Sequence, residues 1–174
     1  MAEVGVRPGA GGLSPRSSVH GPRSLGAVPL LALLAAVACA VGPPGPAVLD
    51  TRTETCRSCR MPVSDAKVAA QLVAPGEEPK FFDDIACLRD FLARGPAPPG
   101  SVAYVADHSS GAWARASSAV YTRAEIETPM GSHWIAHAGA ASRDADPAAR
   151  SGKPVAITEI FGPSGPPDGR GAMR

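Results

Sequence analysis

Between residues 56 and 61 the chain reads Cys-Arg-Ser-Cys-Arg-Met, and Pro62 follows directly. The proline interrupts helix formation right after Cys56 and Cys59, so the pair does not open a helix as a thioredoxin-type redox pair does. Thiolate and thioether are soft ligands. Crowding three of them into six residues favours a soft monovalent ion such as Cu(I) over Mg2+ or Ca2+. The Cys-x-x-Cys spacing alone equally suits a redox dithiol, a structural disulfide or half of a zinc site.

At 174 residues the chain is long enough for one ordinary domain once any removable segment is subtracted. Lys and Arg number 17 against 16 Asp and Glu, with no basic stripe interleaved with aromatics, which argues against nucleic-acid binding. Aromatics are only 5% of the chain, so its core has to be built from small aliphatic side chains.

Residues 1–24 carry Arg7, Arg16 and Arg23, and an apolar run over 25–38 follows. That run falls short of the roughly 20 residues a membrane-spanning helix needs and ends in small residues before Cys39, so residues 1–38 read as a secretory signal. Ala36-Val37-Ala38-Cys39 fits a lipoprotein box with Cys39 acylated, and also an ordinary Ala-x-Ala cleavage site that leaves a soluble chain. The first route leads to a lipid anchor in the cell envelope facing the periplasm, the second to a secreted chain. Residues 39–53, rich in Pro and Gly, read as a flexible tether, and 163–174 as a disordered tail, which leaves 54–162 as the folded body.

Within that body the expected fold class is α+β: two small β-β-α-β repeats with antiparallel sheet, one over 54–108 and one over 109–162. In the first, 67–73 and 80–82 read as strands, Asp83 as the N-cap of a helix with Ile85, Leu88 and Leu92 on one face, and 101–106 as a returning strand. In the second, 112–115 and 119–122 read as strands, Ser132 caps a helix from His133 through Ile135, Ala138 and Ala141, and 155–160 closes as a strand.

Between those strands and that helix lies Thr128-Pro129-Met130-Gly131. Turns lie at the surface and Pro and Gly fix their backbone, so Met130 reads as an exposed thioether or as a gap filler folded back on the core. His133 offers an imidazole two residues further on, although a histidine at a helix start is ordinarily solvated, and His137 one turn later lacks a third ligand for a zinc site. His108 falls in a loop, and Cys87, among Ile85, Leu88 and Phe91, reads as a buried structural thiol rather than a ligand. Asp83 and Asp84 fit the helix N-terminus.

The lipoprotein-like start, Cys56-x-x-Cys59-x-Met61, Phe82-Asp83-Asp84-Ile85-x-Cys87, Tyr104-Val105-x-Asp107 and Thr128-Pro129-Met130-Gly131 occur in one order over about residues 54–140. In this the chain resembles the NosL family of periplasmic copper-chaperone lipoproteins, which support copper-site assembly in nitrous-oxide reductase. Arg60 departs from the family pattern, which has Gly before the first methionine. The resemblance implies Cu(I) as the bound ion, a membrane contact through a lipid anchor, and a copper acceptor such as nitrous-oxide reductase or its maturation transporter.

On this reading Cys59 supplies an anionic sulfur, Met61 and Met130 supply thioethers from two segments, and Cys56 is a fourth ligand, an exchange partner or a disulfide partner of Cys59. An envelope thiol oxidoreductase using Cys56 and Cys59 and a structural lipoprotein are the competing classes. No nucleophile elbow or phosphate loop is present, and a non-enzyme is expected.

Overall fold

The computed structural model describes residues 42–170, so the expected signal segment, Cys39 and residues 171–174 lie outside it. Among the described residues no helix is long and apolar enough to cross a membrane.

The class is α+β with antiparallel sheets, as the patterning predicts. Strands β1 (Ala70–Val73), β2 (Lys80–Phe82), β3 (Val102–Ala106) and β4 (Trp113–Arg115) form one sheet in the order β2-β1-β3-β4. Strands β5 (Val120–Arg123), β6 (Trp134–His137) and β7 (Lys153–Val155) form a second in the order β6-β5-β7. All named pairings are antiparallel, and a single parallel bridge, Asp107 to Ala136, links the end of β3 to β6.

Strand β1 lies between β2 and β3 and is buried along its whole length, and its sequence, Ala-Gln-Leu-Val, accordingly has no exposed face; its one polar residue, Gln71, is fully buried too. Helix α1 (Ile85–Ala93) buries Ile85, Ala86, Cys87 and Leu88 in its first turn. Ile85, Cys87 and Leu88 join Leu72, Phe82 and Val105 in the main core. The helix is capped by Asp84, which accepts the Ala86 N–H at 2.7 Å, and not by Asp83. Asp83 instead accepts the Ser64 N–H at 2.7 Å and so ties the chain after the cysteine loop to the entry of α1.

Two elements differ from the sequence expectation. The stretch 133–141 is not a helix: Trp134–His137 is strand β6, and helix α2 begins only at Ala140 and runs to Ala145. The physical cause lies at His133, whose φ of 60° is left-handed and cannot continue a right-handed helix, and in β5, whose edge the segment pairs from Val120↔His137 to Arg123↔Trp134. Ser132 therefore caps no helix; its hydroxyl donates to Asp84 Oδ1 at 2.7 Å. The expected closing strand 155–160 divides into β7 and helix α4 (Ile157–Phe161), after the short helix α3 (Pro147–Arg150). Glu159 accepts the Ala156 N–H at 3.0 Å, and the helical spacing buries Ile160.

The expected tether and tail are both docked where they are described. Tyr104 donates its hydroxyl to the Pro44 carbonyl at 2.6 Å. The fully buried Gln71 amide clamps Ala47 from both sides, accepting its N–H at 2.8 Å and donating to its carbonyl at 3.1 Å. At the other end, the Ala103 N–H donates to Pro167 O and the Gly169 N–H to Ser101 O, both at 2.8 Å, so the tail extends the sheet along β3 where β4 leaves off. A Cβ on Gly169 would lie 2.7 Å from Pro43 Cβ and 2.9 Å from Val102 Cγ2, and its φ is +83°, so the glycine is required by that close approach. Composition marks these segments as polar and proline-rich but does not reveal that the body offers them partners.

Truncation after Gly162 should therefore lower stability by about 2–3 kcal/mol, from two backbone bonds, the Arg115 bond to Asp168 O and the apolar cover they hold. Urea denaturation reads this directly. An unchanged midpoint would mean that the tail contributes nothing to the fold.

Candidate metal centre

The loop that carries the first two cysteines is closed at its base by an antiparallel bridge between Thr55 and Pro62. Inside it the Cys56 N–H donates to Met61 O at 2.8 Å and the Arg60 N–H to Cys56 O at 3.0 Å. Arg60 sits at φ 67°, in the left-handed region where glycine is more at ease. This explains in backbone terms why glycine suits that place. The Arg57 N–H donates to Phe81 O at 2.8 Å, which seats the loop against the end of β2.

This folding brings Cys56 and Cys59 together with Cys87 from the first turn of α1. One sulfur from each lies within 4.8 Å of the other two. Cys56 and Cys87 are buried, Cys59 is half-buried, and all three are free thiols. Such a group can hold a metal ion. Cys87 is thus both the core residue that its sequence position implies and a member of the cluster, which sequence position alone did not reveal.

The three thiols differ in acidity. Burial works to raise the Cys56 pKa, but the backbone N–H groups of Cys59 and Asp83, the Cys59 thiol and the Ser58 N–H all point at its sulfur and bring it below the ordinary value. Burial raises Cys59, with the Cys56 sulfur adding to the effect against the Met61 N–H and the Cys87 thiol. Burial pushes Cys87 up further, reinforced by Cys56 and then Cys59. The sulfur best prepared to carry negative charge is therefore Cys56. The sequence reading had given that role to Cys59.

Met61 and Met130 are 59% and 48% exposed, and with Val48 they are the large apolar side chains that the described residues leave open to solvent. Met61 belongs to the cysteine loop itself. Met130 is brought to α1 by its backbone: its N–H donates to Asp84 Oδ2 at 3.0 Å, while the Asp84 carbonyl accepts the Cys87 N–H at 2.9 Å. Gly131, at φ +64°, lets the Thr128–Gly131 turn close with a 2.8 Å bond from its N–H to Thr128 O. Both methionines are thus exposed on turns tied to the elements that carry the thiols.

His133 does not join this group. Its Nδ1 lies 2.7 Å from Ile126 O, and the ring lines a cleft with Arg123, Glu125, Ser151 and Lys153. Around the cysteine loop the charge is positive: Arg57, Arg60 and Arg94 line one depression with Phe91, and Arg94 hydrogen-bonds the Ser58 hydroxyl.

Comparison with protein-family models, with curated proteins and with solved structures finds no match for this chain.

Proposed function

We propose that the protein is a Cu(I)-binding metallochaperone of the cell envelope, with the ion as its cargo, held at Cys56, Cys59 and Cys87. The observation that carries this reading is the convergence of three free sulfurs within 4.8 Å at a largely buried point. Among the described residues no imidazole or carboxylate belongs to that group, so it offers three soft donors. Zinc in structural sites takes four ligands in a tetrahedron, whereas an all-sulfur set of low coordination suits Cu(I).

Delivery, rather than storage, follows from the two exposed thioethers. An ion resting on Cys59, the most open of the three thiols, can be passed by stepwise ligand exchange through Met61 or Met130 to a sulfur or imidazole of an acceptor. No covalent bond of a substrate is made or broken, and the protein acts as a carrier. On the resemblance of its motifs, the acceptor is nitrous-oxide reductase or its maturation transporter, and the chain is held at the membrane through Cys39.

A dithiol oxidoreductase fits less well. Its attacking thiol has to be both acidic and accessible, and here the acidic thiol, Cys56, is fully buried while the accessible one, Cys59, is raised. Anaerobic titration of the reduced mature chain with Cu(I), against a competing chelator, should give one equivalent per chain with sulfur-only X-ray absorption. A chain that never competes with the chelator, or a copper shell dominated by nitrogen, would overturn the proposal.

A further inference from the structure

A second group of ligating side chains stands apart in composition from the cysteines. His108 follows the end of β3, His137 ends β6, and Asp146 lies between α2 and α3. One ligand atom from each lies within 4.8 Å of the other two. His108 Nδ1 is 2.6 Å and His137 Nε2 2.9 Å from the same carboxylate oxygen, Asp146 Oδ2. The rings stand 6.3 Å apart at 71°, so they approach that oxygen from two sides instead of stacking.

The surroundings hold this arrangement in place. Asp146 Oδ1 is already used, accepting the Ala148 N–H at 2.9 Å, which leaves Oδ2 for the two imidazoles. The His108 N–H donates to Ala136 O at 2.9 Å, one residue before His137. Asp107 accepts the Ala138 N–H at 2.8 Å and the Ser142 hydroxyl at 2.6 Å, locking the segment after His137 to the residue before His108.

With no ion present, both ring nitrogens that face Oδ2 must carry hydrogen to bond it, so two donors converge on one acceptor. His137 is fully buried and its Nδ1 has no hydrogen-bond partner. Among the described residues no lysine or arginine pairs with the buried Asp146 carboxylate, which is costly without a cation. A divalent ion in place of the two converging protons supplies that charge and uses the same three lone pairs.

We propose that His108, His137 and Asp146 form a second metal site that takes a borderline divalent cation of the Zn2+ and Cu2+ class. Two imidazoles and a carboxylate are the donors such ions prefer, and Cu(I) is better served by the sulfurs. Metal–ligand distances of about 2.0–2.2 Å place tetrahedral ligand atoms roughly 3.3 Å apart, so the site has to open by roughly half an ångström from its hydrogen-bonded state. Three protein ligands leave a fourth position for water. The ion enters beside His108, whose side chain retains 16% exposure while those of His137 and Asp146 retain 0% and 6%.

The test uses Zn2+ alone as probe, on the mature chain with Cys56, Cys59 and Cys87 all changed to serine, and on the same chain also carrying His108→Ala or Asp146→Asn. The expected result is one bound Zn2+ per chain, a rise in Tm with added Zn2+, and a loss of affinity of about 100-fold or more in each added variant, beyond the 10- to 100-fold typical of outer-shell partners. Equal binding by the triple-serine chain and its His108→Ala form would overturn the site. Should the triple-serine chain fail to fold, nitrogen NMR of the imidazoles in the wild-type chain decides instead. Zn2+ must shift His108 Nδ1 and His137 Nε2, and resonances that stay in place would leave the group as a hydrogen-bonded pin.

Discussion

Replacing Cys56 by serine is expected to lower Cu(I) affinity by about 100-fold or more, equivalent to about 3 kcal/mol, the largest effect on copper binding of any single substitution among the described residues. Cys56 is fully buried, and the N–H groups of Cys59, Asp83 and Ser58 converge on its sulfur. A serine oxygen can still accept those hydrogen bonds, so the loop keeps its shape, but a soft thiolate is exchanged for a hard hydroxyl that is not ionised at neutral pH. Cys87→Ser should weaken binding as well. Met61→Leu should slow copper transfer more than it weakens affinity, because on the proposed path that thioether, 59% exposed, serves the exit of the ion.

Cu(I) binding must also expel protons, since burial holds the Cys59 and Cys87 thiols above their ordinary values. Raised pKa values mean that protons compete with copper throughout the neutral range, so apparent affinity should increase with pH. Competition titrations at several pH values measure both effects. Unchanged affinity in both Cys56→Ser and Cys87→Ser would remove the cluster as the copper site.

What could be read from the chain beforehand divides along physical lines. Strands β1, β2 and β3 and helix α1 were legible because each carries its own local signal: a continuous apolar run, a Pro-Gly turn, an aspartate cap and a helical apolar stripe. Strand β6 was not, because Ile135, Ala138 and Ala141 happen to fall at helical spacing while the decisive facts are the left-handed His133 and a partner strand fourteen residues back at Val120–Arg123. Small side chains such as Ala and Gly carry too little periodicity to overrule that coincidence.

The candidate site was legible in kind but not in membership. Cys56, Cys59 and Met61 are adjacent in sequence and announce soft chemistry, whereas Cys87 joins them only because α1 packs its first turn against the loop. A cysteine at a buried helical position gives the same sequence signal whether its neighbours are leucines or thiols. His108 and Asp146 are beyond sequence reading for the same reason: 38 residues separate them, and only the closure of β3 on β6 brings them together.

Asp84→Ala should be strongly destabilising, at about 3 kcal/mol. Asp84 is fully buried, and its carboxylate accepts three hydrogen bonds: Ala86 N–H at 2.7 Å, the Ser132 hydroxyl at 2.7 Å and Met130 N–H at 3.0 Å. Loss of the helix cap alone accounts for about 1 kcal/mol. The remainder comes chiefly from the buried Ser132 hydroxyl, which keeps only Thr128 Oγ1 at 3.2 Å as a neighbour, since a buried donor left unpaired costs about 1–3 kcal/mol; the Met130 N–H, on an exposed residue, adds less because water reaches it. Asp84→Asn retains one acceptor oxygen but turns an NH2 group toward one of these donors, and should fall in between.

The substitution also separates two parts of the proposed copper path, because Asp84 is the residue through which the Met130 turn and the first turn of α1 are joined. Copper held by the three cysteines should survive in Asp84→Ala at temperatures where the chain is still folded, while transfer to an acceptor should slow as Met130 loses its anchor. Urea denaturation and stopped-flow copper transfer, measured on the same preparation, distinguish the two consequences. A stability loss of only about 1 kcal/mol would show that Asp84 acts as a helix cap and nothing more.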